Sequence, residues 1–386
     1  MRNIIGGAAL AALVAQASVA SAAEIDVMTQ NQYLGADLAP VLQAATAPQF
    51  DPAAFNEAVV ATLEKIAAAR PAERVRALAA QIQQRNPDVV GLQEAYTFAC
   101  LPYPGTAVIA GAGCDDPSVR GAFSDQLAGT VAALRGKFDL VAKVTNLQVP
   151  AIPFLVNGVP ALLQVADRDA ILVRRGLQAV PAAVGPCRTS DDGCNFDTRP
   201  PPFVTPIGVL AIERGWVGVD VTVKGRAYRV LNTHLEQRLL APTLPQTRLL
   251  QVGQAAELLG AALASAAPAR QVVVLGDFNS DPADTIPGGV PTPYQLFTAV
   301  GGFTDAWTLR PQGGAGYTCC QAEDLTNRRP LLQERIDHVF SLAPPKNVLD
   351  MRRLGIAMGD KTRPPGTIGL WASDHAALAA RLQFGD

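Results

Sequence analysis

Short apolar runs that end in polar residues recur along this chain, and they constrain its fold more than any other feature. The run at residues 89–92 ends at Gln93-Glu94, and the run at residues 271–275 ends at Gly276-Asp277. Runs of this length are typical of buried strands, whereas residues 53–69 repeat apolar side chains at helical spacing. Strands and helices mixed along the whole length predict sheets covered by helices, with a site built from loops at one sheet edge.

The same pattern predicts the remaining elements. Proline- and glycine-rich residues 181–206 and 282–293 are expected to form surface loops. No stretch has the composition of a linker, so residues 23–386 are predicted to form a single domain. Further strands are predicted at residues 25–30, 170–173, 228–232, 335–340 and 376–382, and further helices at residues 73–85 and 244–263.

Residues 1–22 have the pattern of an export signal. Arg2 precedes an uncharged apolar run at residues 4–19, and Ala20-Ser21-Ala22 offers the small residues of a cleavage site. An uncleaved membrane anchor is the alternative, which the many Ala and Gly residues and the cleavage pattern disfavour. No later segment is apolar enough to span a bilayer. We therefore expect a secreted or periplasmic protein without a transmembrane segment after cleavage, and a monomer.

Six cysteines indicate an oxidising compartment. The local pairs Cys100 with Cys114 and Cys187 with Cys194 are the simplest of the roughly 15 connectivities that six cysteines allow. A bridge between the adjacent Cys319 and Cys320 is also open. A zinc site is disfavoured, because the spacings are not CxxC and no histidine lies close in sequence.

The chain has only three histidines, and two of them stand beside acids at strand ends. Metal-assisted hydrolysis of a phosphodiester needs carboxylates for the ion, a group that orients the attacking water, and donors to the phosphoryl oxygens. Carboxylates at buried strand ends need a compensating partner, and a cation is a suitable one. The candidates for this chemistry are Glu94, His234, Asp277, Asn279, Asp337, Asp374 and His375.

Five motifs occur in the order found in the endonuclease/exonuclease/phosphatase superfamily, which the chain resembles over nearly its whole mature length. The superfamily includes pancreatic-type deoxyribonuclease, abasic-site endonucleases, sphingomyelinases and inositol polyphosphate phosphatases. The resemblance implies an α/β fold of two packed, mostly antiparallel β-sheets between outer helices, in four layers α/β/β/α. The motifs are Gln93-Glu94, Asn232-Thr233-His234, Gly276-Asp277-Phe278-Asn279, Arg335-Ile336-Asp337 and Ser373-Asp374-His375.

The resemblance also implies a divalent metal, foremost Mg²⁺, with Ca²⁺ or Mn²⁺ as alternatives. Glu94 would be the principal metal ligand, supported by Asn31, and Asp374 would complete the metal or water network. Asp277 would orient or deprotonate the attacking water. Asn279 would donate to a phosphoryl oxygen.

The two histidines at strand ends are assigned different roles by the same resemblance. His375 would contact the phosphate, held in orientation by Asp337. His234 would act as a general acid, and Asp169 would pair with it. His338 is expected to be structural, because it follows Asp337 on a strand whose neighbouring side chains face opposite sides.

The resemblance implies an enzyme, and three functions compete. A secreted phosphodiesterase acting on DNA or RNA is the first, and a lipid phosphodiesterase resembling sphingomyelinase or phospholipase C is the alternative. The third, a non-catalytic binding protein, is disfavoured by the complete set of acids, amides and histidines. The net charge of −2 provides no basic field for nucleic acid. Apolar residues 147–165 form either a hairpin that inserts into a membrane or, as we favour, a strand pair packed on the core.

Overall fold

A computed structural model describes residues 23–183, 185, 187–238, 247–362 and 369–385. The predicted export signal at residues 1–22 lies outside these residues. Eighteen strands are present in this part of the chain. In chain order they are β1 (Ala23–Asn31), β2 (Val89–Gln93), β3 (Thr97–Pro102), β4 (Ser124–Asp125), β5 (Phe138–Val156), β6 (Val159–Arg174), β7 (Gln178–Pro181), β8 (Arg188–Ser190), β9 (Gly193–Asn195), β10 (Phe203–Thr205), β11 (Gly208–Leu210), β12 (Gly215–Val223), β13 (Arg226–His234), β14 (Arg270–Asp277), β15 (Thr304–Asp305), β16 (Asp337–Ser341), β17 (Asn347–Leu354) and β18 (Ala377–Phe384).

These strands form two large sheets and one short hairpin. The first sheet has the order β17-β18-β1-β2-β6-β3-β4, with β5 paired to β6, and the second has the order β15-β16-β14-β13-β12-β9-β8, with β7 paired to β12. Strands β10 and β11 form the hairpin. Only β1 with β2 and β13 with β14 pair in parallel among the described strands. The sheets are therefore mostly antiparallel, as predicted.

The helices cover the outer faces of both sheets. Asp51 caps α2 by accepting from the backbone amides of Ala53 and Ala54, and Pro71 begins α3. A left-handed Asn86 ends α3 directly before Pro87, close to the predicted end of this helix at residue 85. The helices are α1 (Ala39–Ala45), α2 (Pro52–Ala68), α3 (Pro71–Arg85), α4 (Gln126–Ala133), α5 (Thr247–Ala264) and α6 (Pro293–Gln295).

Alternation of side chains along the strands separates the molecule into four layers. On β14, Val273 and Leu275 pack between the sheets, whereas Val272 and Val274 pack against α5. On β1, Val27 faces the other sheet while Met28 packs against α3. Both faces of the central strands are thus apolar, which explains the continuous apolar runs in the sequence. The four-layer α/β/β/α fold implied by the resemblance is confirmed.

Most predicted elements are confirmed with small changes in length, and two regions need comment. Residues 181–206, expected to be a surface loop, contain β8, β9 and β10, because the buried Cys194 and Phe196 pack against α5. Residues 147–165 belong to the β5–β6 hairpin, and their buried side chains join a core cluster, as favoured. The predicted start of the helix at residues 244–246 lies outside the described residues.

The cysteines pair locally. Disulfides join Cys100 to Cys114, Cys187 to Cys194, and Cys319 to Cys320. The two simplest predicted pairs are therefore present, and the adjacent pair is bridged as well. Within the described residues, no helix has the length and apolarity that crossing a bilayer requires.

Gly91 on β2 lies where the two sheets approach most tightly. A Cβ atom built at this position would overlap the side chains of Leu275 and Asn232 on the facing sheet. Gly91→Ala is expected to destabilise the protein by about 1–3 kcal/mol, since an overpacked core must shift. Gly260→Ala on the exposed face of α5, where nothing lies within 4 Å, is the control and should change stability by no more than about 1 kcal/mol. Chemical unfolding midpoints measure both, and equal midpoints would contradict the close approach.

Candidate active site

Strand register brings the predicted residues to one edge of the paired sheets. Asn31 ends β1 opposite Gln93 on β2, and His234 ends β13 opposite Asp277 on β14. Asp337 begins β16 opposite Asp277. A cavity at this edge is lined by Glu94, Asp277, Asn279, Asp374 and His375, among other residues. The predicted convergence of distant segments on one cleft is therefore present.

Asn31 connects the acids of the two sheets. Its side-chain amide nitrogen lies 3.1 Å from Glu94 Oε1 and 3.1 Å from Asp277 Oδ2, so it donates to both carboxylates. The other Glu94 oxygen accepts the backbone amide of Leu34 at 3.1 Å. Glu94 has a left-handed backbone with φ of 52°, which is uncommon outside glycine and directs this side chain out of the strand. The carboxylate is thus oriented by two separate donors.

Three carboxylates surround His375. Its Nδ1 lies 2.8 Å from Asp337 Oδ2, and its Nε2 lies 3.7 Å from Asp277 Oδ2 and 4.0 Å from Asp374 Oδ1. Burial lowers the pKa of His375, but the three carboxylates outweigh burial and hold this pKa well above its usual value. The imidazole is therefore cationic near neutral pH in the protein without metal. Asp337 orients it as the resemblance implied.

His234 has the opposite electrostatic surroundings. The Arg214 guanidinium lies 3.0 Å from Nδ1, and the Asn279 amide nitrogen lies 3.1 Å from Nε2. Burial lowers the pKa of His234 well below its usual value, and the positive charges of Arg214 and His375 lower it further. Arg214 donates to Nδ1 and so disfavours a proton there, which favours the neutral imidazole, although Nε2 also lies 3.6 Å from Asp277 Oδ2. A cationic general acid at His234, as the resemblance implied, does not fit this environment.

Asp169 does not pair with His234 in the structure. It is fully buried and accepts a 2.8 Å hydrogen bond from the Asn146 side chain. Arg214 occupies the Nδ1 side of His234, where the predicted acid would have to lie. The predicted pairing is therefore not formed, because Asn146 engages Asp169 and Arg214 engages His234.

Arg214, Asp167 and Glu236 are the residues at this edge that the sequence interpretation missed. Arg214 lies 3.9 Å from Asp167 and 3.6 Å from Glu236, and all three line the cavity. Burial raises the pKa of Asp167 to about 7, while Arg214 acts in the opposite direction. Arg214 directly precedes β12, whose first residue pairs with His234, but β12 was not among the predicted strands, so no signal in the sequence pointed to Arg214.

His338 lies apart from the cavity lining, in a packed aromatic cluster. Its Nε2 lies 2.9 Å from the Ser280 carbonyl oxygen, and its ring stacks on Phe340. Burial lowers the pKa of His338 to about 4. These contacts agree with the structural role expected from strand alternation.

The donor set suits a hard divalent cation. Asp277, Asp337 and His375 place one ligand atom each within 4.8 Å of one another, and Asp337 Oδ1 is buried without a hydrogen-bond partner. Because His375 is cationic, carboxylates and not the imidazole would hold the ion, and Glu94 and Asp374 line the same cavity. Burial raises the pKa of Asp277 to about 7 and that of Asp374 to about 6, and further acids act in the same direction. Such an accumulation of buried acids is costly unless a cation compensates it, and carboxylate oxygens are the ligands that Mg²⁺ and Ca²⁺ prefer.

Three solved structures align with most of this chain. A family protein from Bacteroides thetaiotaomicron aligns with 15% identity over 95% of this chain and 100% of that chain, with a TM-score of 0.49. A family protein from Beutenbergia cavernae aligns with 21% identity over 94% of this chain and 72% of that chain, with a TM-score of 0.48. TDP2 from D. rerio, complexed with a single-strand DNA product, aligns with 13% identity over 93% and 98% of the two chains, with a TM-score of 0.46. A search of curated proteins gave no match.

The four-layer sandwich brings acids and histidines together at one sheet edge, an arrangement suited to metal-assisted hydrolysis of a phosphoester. The model of the Endonuclease/Exonuclease/phosphatase family matches residues 60–375. The chain belongs to this family, as the motifs indicated.

The three histidines provide a test of the electrostatics. In the metal-free protein at about pH 6.5, the ordinary imidazole pKa, we expect His375 to be cationic and His234 and His338 to be neutral. Because the folded-state pKa of His375 exceeds the unfolded value, its ion pairs stabilise the metal-free protein most at low pH and lose this effect as pH rises through the folded pKa. NMR of labelled histidines in chelator measures these states.

Asp337→Asn should bring the His375 pKa down towards its usual value, since the nearest negative charge is removed. Asp139→Asn, at an ion pair on the surface, is the control and should leave all three imidazoles unchanged. A His375 that titrates identically in both variants would contradict the assigned pairing.

Proposed function

We propose that this protein is an exported, divalent-metal-dependent phosphodiesterase that hydrolyses a P–O bond by direct attack of water. The observation that carries the proposal is the convergence of Glu94, Asp277 and Asp374 with His375 on one cleft. Anionic oxygens for a cation and a cationic donor for a phosphate are thereby placed side by side. Family membership supports hydrolysis of a phosphoester, and the site supports the use of a metal.

Glu94 and Asp374, with Asn31 orienting Glu94, are proposed to hold the cation. A bound divalent cation would polarise the phosphoryl oxygens and stabilise the negative charge that develops on them. Asn31 keeps Glu94 and Asp277 at a fixed separation, because one amide donates to both. This arrangement keeps the ligands in place before substrate arrives.

Asp277 is proposed to orient and deprotonate the attacking water. Its Oδ2 lies 3.6 Å from His234 Nε2 and 3.7 Å from His375 Nε2, at the centre of the site. Its Oδ1 accepts the backbone amide of Asn279 at 2.9 Å, so the carboxylate is fixed. Burial raises the Asp277 pKa to about 7, which is suited to a base working near neutral pH.

His375 and Asn279 are proposed to donate to the phosphoryl oxygens. The cationic His375 has its Nδ1 engaged by Asp337, which leaves Nε2–H directed at the cleft. Protonation of the leaving oxygen is also assigned to His375, because the neutral His234 is the poorer acid. His234 then serves to position Asn279 and to keep Arg214 beside the cleft.

Export remains a proposal that rests on the pattern at residues 1–22 and on the paired cysteines. All six cysteines of the sequence form disulfides in the described residues, as expected for an oxidising compartment. The complete acid and histidine set favours an enzyme over a non-catalytic binding protein. The sequence favoured nucleic acid as the phosphodiester, with a lipid as the alternative. The residues that line the cavity provide further evidence on this choice of substrate.

Hydrolysis of bis(p-nitrophenyl) phosphate tests the metal-dependent chemistry without assuming a biological substrate. Activity should require Mg²⁺, Mn²⁺ or Ca²⁺ and be abolished by chelator. Asp277→Asn should reduce kcat by about 10²–10⁴-fold, the range typical of a lost general base. Glu94→Gln should weaken activation by the metal, seen as a higher metal concentration for half-maximal rate.

Glu64→Gln on the exposed face of α2 is the matched control and should behave like the wild type. Cleavage that persists in chelator, or an Asp277→Asn variant within a few-fold of wild type, would refute the proposed chemistry.

A further inference from the structure

The cavity that contains the site is far larger than a phosphate needs. Its volume is about 1100 Å³, and it continues from the acids and histidines into the space beneath α1 and α2. Cavities of this size enclose entire small-molecule ligands. The polar end is formed by the site residues already described. The other end therefore has room for a part of the substrate other than its phosphate.

The far end of the cavity is mostly apolar, with Gln43, Thr46 and Thr62 among its few polar side chains. Its walls come from α2, from β3 and from the β5–β6 hairpin, whose inward side chains belong to one core cluster. The hairpin thus directs its buried side chains into the cavity and not towards a membrane. Residues of this wall include Phe55, Val59, Leu63, Phe98, Ile152 and Leu163.

The charges that line the cavity are unfavourable for a polynucleotide. Three arginines line it within the described residues: Arg214, Arg238 and Arg248. Arg214 is engaged by Asp167 and Glu236, and Arg238 by Asp284 and Glu334. Nine acids line the same space, namely Asp37, Glu94, Asp167, Glu213, Glu236, Asp277, Glu323, Glu334 and Asp374. A nucleic acid strand needs cations spaced along successive phosphates, whereas one phosphate beside a metal ion does not.

We propose that the apolar end of the cavity binds the hydrocarbon chain of an amphiphilic phosphodiester, whose single phosphate lies at Glu94 and His375. The inference rests on the proposed phosphodiesterase function and names its substrate class. The water oxygen becomes bonded to phosphorus, one P–O ester bond breaks, and the departing oxygen leaves as an alcohol after taking up a proton. The products are a phosphomonoester and an alcohol. The hydrocarbon chain of a single substrate molecule is enclosed in the cavity, because the apolar wall faces inward.

A series of alkyl p-nitrophenyl phosphates tests this assignment. Methyl, octyl and dodecyl esters, assayed with Mn²⁺ below their micelle concentrations, share the same phosphate and leaving group. We expect kcat/KM to rise by about two- to four-fold for each methylene that enters the cavity. The p-nitrophenyl ester of thymidine 5′-phosphate represents nucleic acid and should be hydrolysed no faster than the methyl ester. A rate independent of chain length, or fastest on the thymidine ester, would overturn the assignment.

Two substitutions on α2 test whether the hydrocarbon chain of the substrate binds in the apolar end of the cavity. Val59→Phe fills the cavity and should lower kcat/KM for the dodecyl ester towards that of the methyl ester measured in the same variant. Ala61→Phe adds a ring on the exposed face of the same helix and should leave the chain-length dependence intact. Retained selectivity in a folded Val59→Phe variant, with circular dichroism matching the wild type, would place the chain elsewhere and refute the inference.

Binding of a fluorescent fatty acid to the wild-type protein tests the hydrocarbon site independently of the proposed catalysis. This measurement also remains informative if the Val59→Phe variant fails to fold. A dansyl-labelled undecanoic acid should bind to the wild-type protein, and dodecyl phosphate should displace it far more effectively than methyl phosphate. If no ester is hydrolysed but the probe binds and is displaced in this order, the proposed function fails and the hydrocarbon site stands. Absence of probe binding refutes the hydrocarbon site.

Discussion

The active site depends on a set of side-chain amides that join the two sheets at a fixed distance. Asn232 donates to the backbone carbonyls of Leu92 and Ala170 at 2.9 and 3.2 Å, and its own oxygen accepts from Gln93 at 2.5 Å. Asn31 adds a further link between the sheets, because its side-chain amide donates to both Glu94 and Asp277. These groups are buried, where an unpaired amide is costly, so the two sheets cannot slide without losing several hydrogen bonds at once. The contact between the sheets therefore fixes the relative positions of the acidic side chains at the cleft.

This arrangement concentrates negative charge in a place with little water. The cost is offset locally by the cationic His375 and by Arg214, each held between acids. Two histidines a few ångströms from one carboxylate consequently carry different charges: His375 is surrounded by acids, whereas His234 faces donors. The same residue type therefore acquires two charge states through its neighbours, and the residues next to each histidine in the sequence do not reveal the difference. A cation bound at the acids would complete this balance of charge.

Much of the fold was predictable, because apolar runs of strand length and helical periodicity report burial directly. The strand-end acids were also predictable as a group, since parallel register brings the ends of β1 and β2, and of β13 and β14, to one edge. The partner of His234 was not. Arg214 directly precedes β12, a strand that was not among those predicted, so nothing in the sequence placed it beside His234 in preference to Asp169. The cavity could not be predicted for another reason. Phe55 and Leu163 have the spacing of core residues in the sequence, whether their side chains contact other side chains or line an empty space.

The pairing of β1 with β18 has a consequence for how the protein matures. Strand β1 lies in the interior of its sheet between β2 and β18, and Ala23 is opposite Phe384. The first sheet therefore remains open along one side of β1 until the last strand has been synthesised. Contacts this distant in the chain form slowly, because a very long loop must close. A polypeptide emerging from the ribosome would thus stay incompletely folded until its carboxyl-terminal strand is released.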